Sequence, residues 1–216
     1  MNISRILLNN SNYLLPIRLL TCWSCGKDVK LVSNLFCSSC NSLQKPEDSK
    51  NYFNILGVKE SYDVNDTELA KKFKDLQKYL HPDKFANKNK KEQEISAQYS
   101  SLVNEAYKTL LEPLERGIYM LKLRGKEIPE KTEVDKVFLM KIMEKNEEVE
   151  NAETEREIMQ INSENKSIIM DLQKQLSTAF FDGDMIQVIK LLTHLKYYSS
   201  IDNQIQSVIR KKGIIR

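Results

Sequence analysis

The most regular alternation of apolar and polar positions runs from about residue 66 to residue 111. Leu69, Phe73, Leu76 and Leu80 recur four, three and four residues apart. At about 100° per residue they share one helix face within roughly 60°. Lys71, Lys74 and Lys78 fall on the opposite side, with Lys72 on the flank, so an apolar face meets a core and a cationic stripe meets solvent. Asn65, Asp66 and Thr67 are candidate N-caps, and Glu68 suits the positive end of the helix dipole. The helix must stop at His81-Pro82-Asp83, because Pro82 lacks an amide hydrogen and disfavours helical dihedrals at His81. A polar, lysine-rich loop from Lys84 to Lys91 then leads into a second amphipathic helix from about Glu92 to Leu111. Ile95, Tyr99, Leu102, Ala106 and Leu110 mark its face.

The pattern changes after Leu111. A polar connector from Arg124 to Glu133, with Gly125 and Pro129, marks a domain junction. From Asp135 a long helical pattern continues to about Phe181, where Asp182-Gly183-Asp184 interrupts it. Two further helices fit Asp184 to Tyr198 and Ser200 to Lys212. Leu172, Leu176 and Phe180, then Val188, Leu191, Leu192 and Leu195, then Ile201, Ile205, Val208 and Ile209 supply matching faces for a three-helix bundle. The start of the first helix is apolar nearly all round. Phe138, Ile142 and Val149 suit a core, while Leu139, Met140, Met143, Glu144 and Glu147 project to the other side. The surplus reads as a docking surface or as an end buried on two sides, and the pattern leaves both open.

Composition narrows the class. The 216 residues are 29% charged, with six glycines and five prolines, which fits a helical protein. A net charge of +3 is small for this length and does not suggest a nucleic-acid footprint. No stretch approaches the roughly 20 apolar residues of a membrane span, since Arg5, Asn9, Asn10 and Arg18 interrupt the apolar N-terminal segment. That segment, Met1 to Thr21, contains arginines, serines and leucines and no acid, the composition of a mitochondrial transit peptide.

All four cysteines lie in one window, Cys22-x-x-Cys25 and Cys37-x-x-Cys40, separated by an 11-residue gap. Each short turn points two sulfurs at one ion, as a tetrahedral thiolate site requires. The gap is shorter than the common zinc spacing, and a hairpin such as Val29 to Phe36 would close it. Zinc is the expected ion, with rubredoxin-like iron or an iron–sulfur cluster as the competing occupant. A redox pair or two disulfides compete with the metal reading; a non-secretory chain with no other cysteine argues against disulfides. Trp23, the only tryptophan, is expected to cover this small site. Lys27 and Lys30 are too few to make it a nucleic-acid ribbon.

Tyr52-Phe53-Asn54-Ile55-Leu56-Gly57-Val58, the lysine-faced helix, His81-Pro82-Asp83 in the loop, and Asn104-Glu105-Ala106-Tyr107-x-x-Leu110 together resemble a J-domain over about residues 50 to 112. In that family the module stimulates the ATPase of a DnaK-type chaperone. The resemblance implies that His81, Pro82 and Asp83 carry the signal and that Lys71, Lys74 and Lys78 steer docking onto an acidic surface. No nucleophile or paired carboxylate stands at a fixed spacing from His81, so the chain itself is not expected to be an enzyme.

Pro113-Leu114-x-Arg116-Gly117-x-Tyr119-x-Leu121-x-Leu123-x-Gly125, with Phe138-Leu139-Met140, Met143-Glu144 and Glu147, is similar to the HscB family of iron–sulfur cluster co-chaperones. The tetracysteine segment resembles its metazoan mitochondrial form. The resemblance implies an all-α fold: a J-domain helical hairpin and a C-terminal three-helix bundle, preceded by a small zinc-binding module. The implied division is a transit peptide at 1–21, the tetracysteine module at 22–44, the J-domain and its following helix at 50–123, a linker at 124–134, and the bundle at 135–216. Family positions place contacts to an iron–sulfur scaffold protein at Leu139, Met140, Met143, Glu144, Glu147, Lys196 and Tyr197. Lys141 stands where an acid is common, and Lys196 where the family can carry an arginine. The implied mechanism is delivery in the mitochondrial matrix, the bundle holding the loaded scaffold while the J-domain triggers hydrolysis in a mitochondrial DnaK-type chaperone. A general J-domain co-chaperone for unfolded mitochondrial clients, or a zinc-dependent binding module, is the alternative. A homodimer and a cytosolic pool are left open, and neither a nucleic acid nor a membrane is an expected partner.

Overall fold

A computed structural model describes residues 21–28, 31–32, 35–46, 51–129 and 134–214. The segment read as a transit peptide lies, up to residue 20, outside the described residues. In the cysteine segment β1 (Leu31–Val32) pairs antiparallel with β2 (Phe36–Cys37), Leu31 opposite Cys37 and Val32 opposite Phe36. These are the only strands among the described residues.

Helices follow. A short α1 (Tyr52–Leu56) is capped by the Asn51 side chain and closed by Gly57 in the left-handed conformation, φ 65°, where a Cβ would be penalised. Of the three candidate caps for α2 (Asp66–Leu80), Asn65 fills the role, accepting the Glu68 amide at 3.0 Å. Leu69 and Leu80 are fully enclosed, and Phe73 and Leu76 are half-buried. Phe73 stacks on Tyr107 at 4.2 Å, joining α2 to α3 (Lys90–Leu111). The connecting loop is shorter than its composition suggests. Pro82–Phe85 forms a 3-10 turn, and α3 starts at Lys90 rather than Glu92 because Asn89 caps it, accepting the Glu92 amide at 2.9 Å. Pro113 then occupies the first position of α4 (Pro113–Leu123), where its missing amide hydrogen costs nothing.

The C-terminal half has three helices, but the sequence pattern divides them wrongly. The long helix expected from Asp135 to Phe181 is two, α5 (Lys136–Asn151) and α6 (Glu155–Asp182). Thr154 starts the second with a capping box: it accepts the Glu157 amide, and the Glu157 carboxylate accepts the amides of Thr154 and Glu153. The two helices expected from Asp184 and Ser200 are instead one, α7 (Met185–Lys211). Tyr198-Ser199-Ser200 contains neither glycine nor proline, and Tyr198 and Ile201 are both buried, so packing carries the helix through.

The J-domain and the bundle share a wall at α4, which packs on both α3 and α7. A Cβ on Gly117 would lie 2.5 Å from Leu192 Cδ2 and 3.2 Å from the Tyr62 ring, so any side chain here would force the fully buried Leu192 to shift. Tyr62 stacks on Phe180 of α6 at 5.3 Å, and the Arg116 guanidinium lies 5.3 Å from the Tyr62 ring centre. Burial pushes the Tyr62 phenol up and the Arg116 guanidinium down from their ordinary values. The Ser177 hydroxyl and the Asp63 carboxylate add a hydrogen bond across the seam. One apolar cluster therefore runs from Leu35 in the cysteine segment to Ile209 in α7.

Gly117→Val is expected to destabilise the protein by about 1–3 kcal/mol through overpacking. A urea melt should show a lower midpoint at unchanged slope; an unchanged midpoint would show that the seam tolerates a side chain.

Candidate functional site

At the J-domain tip, α2 ends by presenting His81, whose Nδ1 accepts the Asp83 amide at 3.3 Å and lies 3.4 Å from Asp83 Oδ2. His81 and Asp83 are both exposed. With Nδ1 taken as the acceptor, the ring N–H of a neutral imidazole is on Nε2, and Nδ1 is the nitrogen that lies against Asp83. Lys71, Lys74 and Lys78 are exposed and line one open groove of about 720 Å3 between α2 and α3. Asp66 and Asp75 line it too, and Lys78 pairs with Asp75 at 3.0 Å. Lys78, with Lys71 and Lys72 nearby, holds the Asp75 carboxyl below its usual range. The face is thus mixed in charge rather than purely cationic.

On α5 the two-sided pattern resolves. Ile142 and Val149 are buried, whereas Met140 is 61% and Met143 63% exposed, with Glu144 and Glu147 at the solvent boundary beside them. Leu139 is half-buried. The methionines are therefore not covered by the J-domain. Lys196 is exposed and Tyr197 half-buried on α7, and Tyr197 sits edge-on to Phe138 at 5.7 Å. Phe138 also stacks on His194 at 3.9 Å. Burial, followed by Lys190, lowers the His194 pKa. Sequence reasoning missed this histidine and the adjacent groove of about 800 Å3, lined by Phe138, Ile186 and Ile189 among others. Ile186 is 85% exposed; its helical spacing placed it off the core face, the one signal available.

The four cysteine Sγ atoms all lie within 4.8 Å of one another. Cys22 and Cys40 are 3.6 Å apart and Cys25 and Cys37 are 3.9 Å apart. A Zn–S bond of roughly 2.3 Å gives a tetrahedral edge of about 3.8 Å, so the cage already has the right size. The Ser24 amide donates to Cys22 Sγ at 3.3 Å and the Ser39 amide to Cys37 Sγ at 3.4 Å, the same contact in each Cys-x-x-Cys turn. Burial pushes the Cys22 thiol up, but the Ser42 hydroxyl and the Cys25 and Ser24 amides outweigh it and bring it down to about 5. Cys25 is pushed up to about 11: the Lys27 amide opposes this, while desolvation and the neighbouring sulfurs drive it. Four thiolates this close repel one another, and a divalent cation removes the conflict. The residues fit one metal ion and are consistent with zinc. Four protein ligands leave no open position for chemistry.

Ser42 and Gln44 were not singled out by sequence. Gln44 Nε2 donates to Cys22 Sγ at 3.3 Å, and Ser42 Oγ lies 3.0 Å from Cys40 Sγ. Their only sequence signal is nearness to Cys40. Trp23, expected to cover the site, packs against the main apolar cluster: its Nε1 donates to the Leu43 carbonyl at 2.7 Å, and Lys91 of α3 lies 4.6 Å from its ring centre.

Comparison with known proteins agrees along the chain. Residues 51–119 match the DnaJ domain, and residues 134–206 match the family described as the HSCB C-terminal oligomerisation domain. The iron-sulfur cluster co-chaperone protein HscB of Homo sapiens is 38% identical over 189 residues, covering 86% of this chain and 80% of that protein. The HscB homolog of Arabidopsis thaliana is 36% identical over 178 residues, covering 82% and 69%. The crystal structure of human co-chaperone protein HscB superposes with a TM-score of 0.81 at 37% identity, covering 87% of this chain and 97% of that one.

With one equivalent of zinc the four thiols should resist a thiol reagent, and a chelator should release all four. Four freely reactive thiols in the zinc-loaded protein would exclude the closed cage.

Proposed function

The chain belongs to the HscB family of iron–sulfur cluster co-chaperones, and from that premise we propose that it works as a two-ended delivery device. The J-domain end stimulates the ATPase of a DnaK-type mitochondrial chaperone, and the bundle end holds the iron–sulfur scaffold protein. The observation that carries this reading is the exposure of Met140 and Met143 on a helix whose opposite face is closed into the same core that supports His81.

Each end has a stated division of labour. His81-Pro82-Asp83 presents an exposed imidazole and an exposed carboxylate to the chaperone. Lys71, Lys74 and Lys78 steer the encounter, so this step weakens as salt rises. On α5 and α7 the scaffold buries Leu139, Met140 and Met143, with Tyr197 packing alongside; Glu144, Glu147 and Lys196 set its orientation. Methionine suits such a surface because its unbranched side chain repacks against a client at little cost. Hydrolysis occurs in the partner chaperone. Cys22, Cys25, Cys37 and Cys40 would hold a zinc ion that would fasten the N-terminal module, with no open position for chemistry. The composition of Met1 to Thr21 supports action in the mitochondrial matrix. Membership of the HscB family, including its C-terminal domain, favours this reading over a co-chaperone for unfolded clients in general.

His81→Gln should abolish stimulation of the mitochondrial chaperone's steady-state ATPase while scaffold binding persists; retained stimulation would remove the J-domain assignment. Leu139→Ala combined with Met143→Ala should weaken scaffold affinity about tenfold or more without loss of helical signal. Unchanged affinity by calorimetry would place the docking surface elsewhere.

A further inference from the structure

Glu92 stands on the first turn of α3 and is only 8% exposed, in a helix turn otherwise open to solvent. A carboxylate is rarely buried to that degree without partners. Its Oε1 accepts the amide of Leu43 at 3.4 Å, and its Oε2 accepts Asn89 Nδ2 at 3.2 Å. Asn89 returns the contact by capping the Glu92 amide at 2.9 Å. Glu92 therefore bonds at once to the cysteine segment and to the residue that starts α3.

The Leu43 peptide is gripped on both sides. Its amide goes to Glu92, and its carbonyl accepts the indole of Trp23, which lies inside the first Cys-x-x-Cys turn. Leu43 also follows Ser42, whose hydroxyl lies 3.0 Å from Cys40 Sγ and 3.5 Å from Cys22 Sγ. The side chains of Leu43 and Leu35 are enclosed in the same apolar cluster as the J-domain core. Next to Glu92, Gln93 donates to the carbonyls of Ala86 at 3.0 Å and Lys88 at 2.9 Å, pinning the loop that follows His81-Pro82-Asp83. Phe85 in that loop is buried. A short, continuous set of contacts thus links the metal cage to the loop behind the tripeptide. The cage holds Trp23 and Ser42 together only if the two cysteine turns are held together, and an ion does that.

We infer that Glu92 is a positioning residue through which metal occupancy of the tetracysteine site sets the order of the loop behind His81-Pro82-Asp83. With the ion in place, the Leu43 peptide is fixed and Glu92 and Asn89 lock the first turn of α3. With the ion removed, Trp23 and Leu43 separate, Glu92 loses its cross-segment donor, and the turn carrying Gln93 frays. The functional consequence rests on the reading of His81-Pro82-Asp83 as the chaperone signal. The structural coupling does not.

The test is amide hydrogen exchange on the full chain, with zinc bound and after chelation. Chelation should raise exchange in Phe85–Gln93 about tenfold or more in addition to its effect on residues 21–46. Glu92→Ala should show the fast exchange in Phe85–Gln93 even with one equivalent of zinc bound. Glu92→Gln keeps an acceptor for the Leu43 amide and should restore slow exchange. Protection lost only within residues 21–46, or a Glu92→Ala protein that exchanges like the parent, overturns the coupling. In parallel, chaperone stimulation by the parent should fall several-fold on chelation and that by Glu92→Ala should be insensitive to zinc. Should the exchange coupling hold while neither the parent nor any variant stimulates the chaperone, the J-domain assignment fails and the coupling stands.

Discussion

At Gly117 two helices approach so closely that a single methyl group would meet Leu192 at 2.5 Å. The arrangement of everything else depends on that approach, because α4 is the wall common to the J-domain and the bundle. Around it Arg116 lies over the Tyr62 ring, Tyr62 stacks on Phe180, and Arg124 places its guanidinium 5.3 Å from the Phe180 ring centre. Burying a guanidinium is costly, and Arg116 offsets it by donating to the Leu110 carbonyl and facing the Tyr62 ring. Loose linkage would let the two ends wander. This packing fixes their separation.

The N-terminal module follows a different logic. Its few apolar residues cannot form an independent core, which is the usual reason a small unit recruits a metal. It has a second support as well, since Leu35 and Leu43 merge into the main cluster and Trp23 meets Lys91. The cage orders one side of the module and the J-domain orders the other. The Leu43 peptide is where the two meet.

Rigidity also explains why α5 can leave large apolar side chains in water. Lys145 bonds Glu148 at 2.6 Å and Glu164 of α6 at 2.9 Å. Burial works against its charge, but the two carboxylates outweigh that and raise its pKa. Phe138 is held by His194, Tyr197 and Tyr198 together. With its inner face locked, the helix can expose methionines without reorienting to hide them.

The sequence alone determined what depends on local order. The spacing of Leu69, Phe73, Leu76 and Leu80 set the α2 face, Pro82 set its end, and Cys-x-x-Cys twice over set a four-sulfur cage. Those are short-range consequences of helical period, a missing amide hydrogen and the reach of a tight turn. Tertiary structure decided the rest. Ser199 and Ser200 looked like a boundary and lie inside α7, because burial of Tyr198 and Ile201 outweighs weak local propensity. Thr154 carries a capping box that is legible in the sequence, yet apolar periodicity continued past it and hid the break between α5 and α6. Whether Met140 and Met143 were covered depended on where the J-domain docked, which no helical period encodes. The bond from Glu92 to Leu43 spans 49 residues, and only the folded chain brings that carboxylate to that amide.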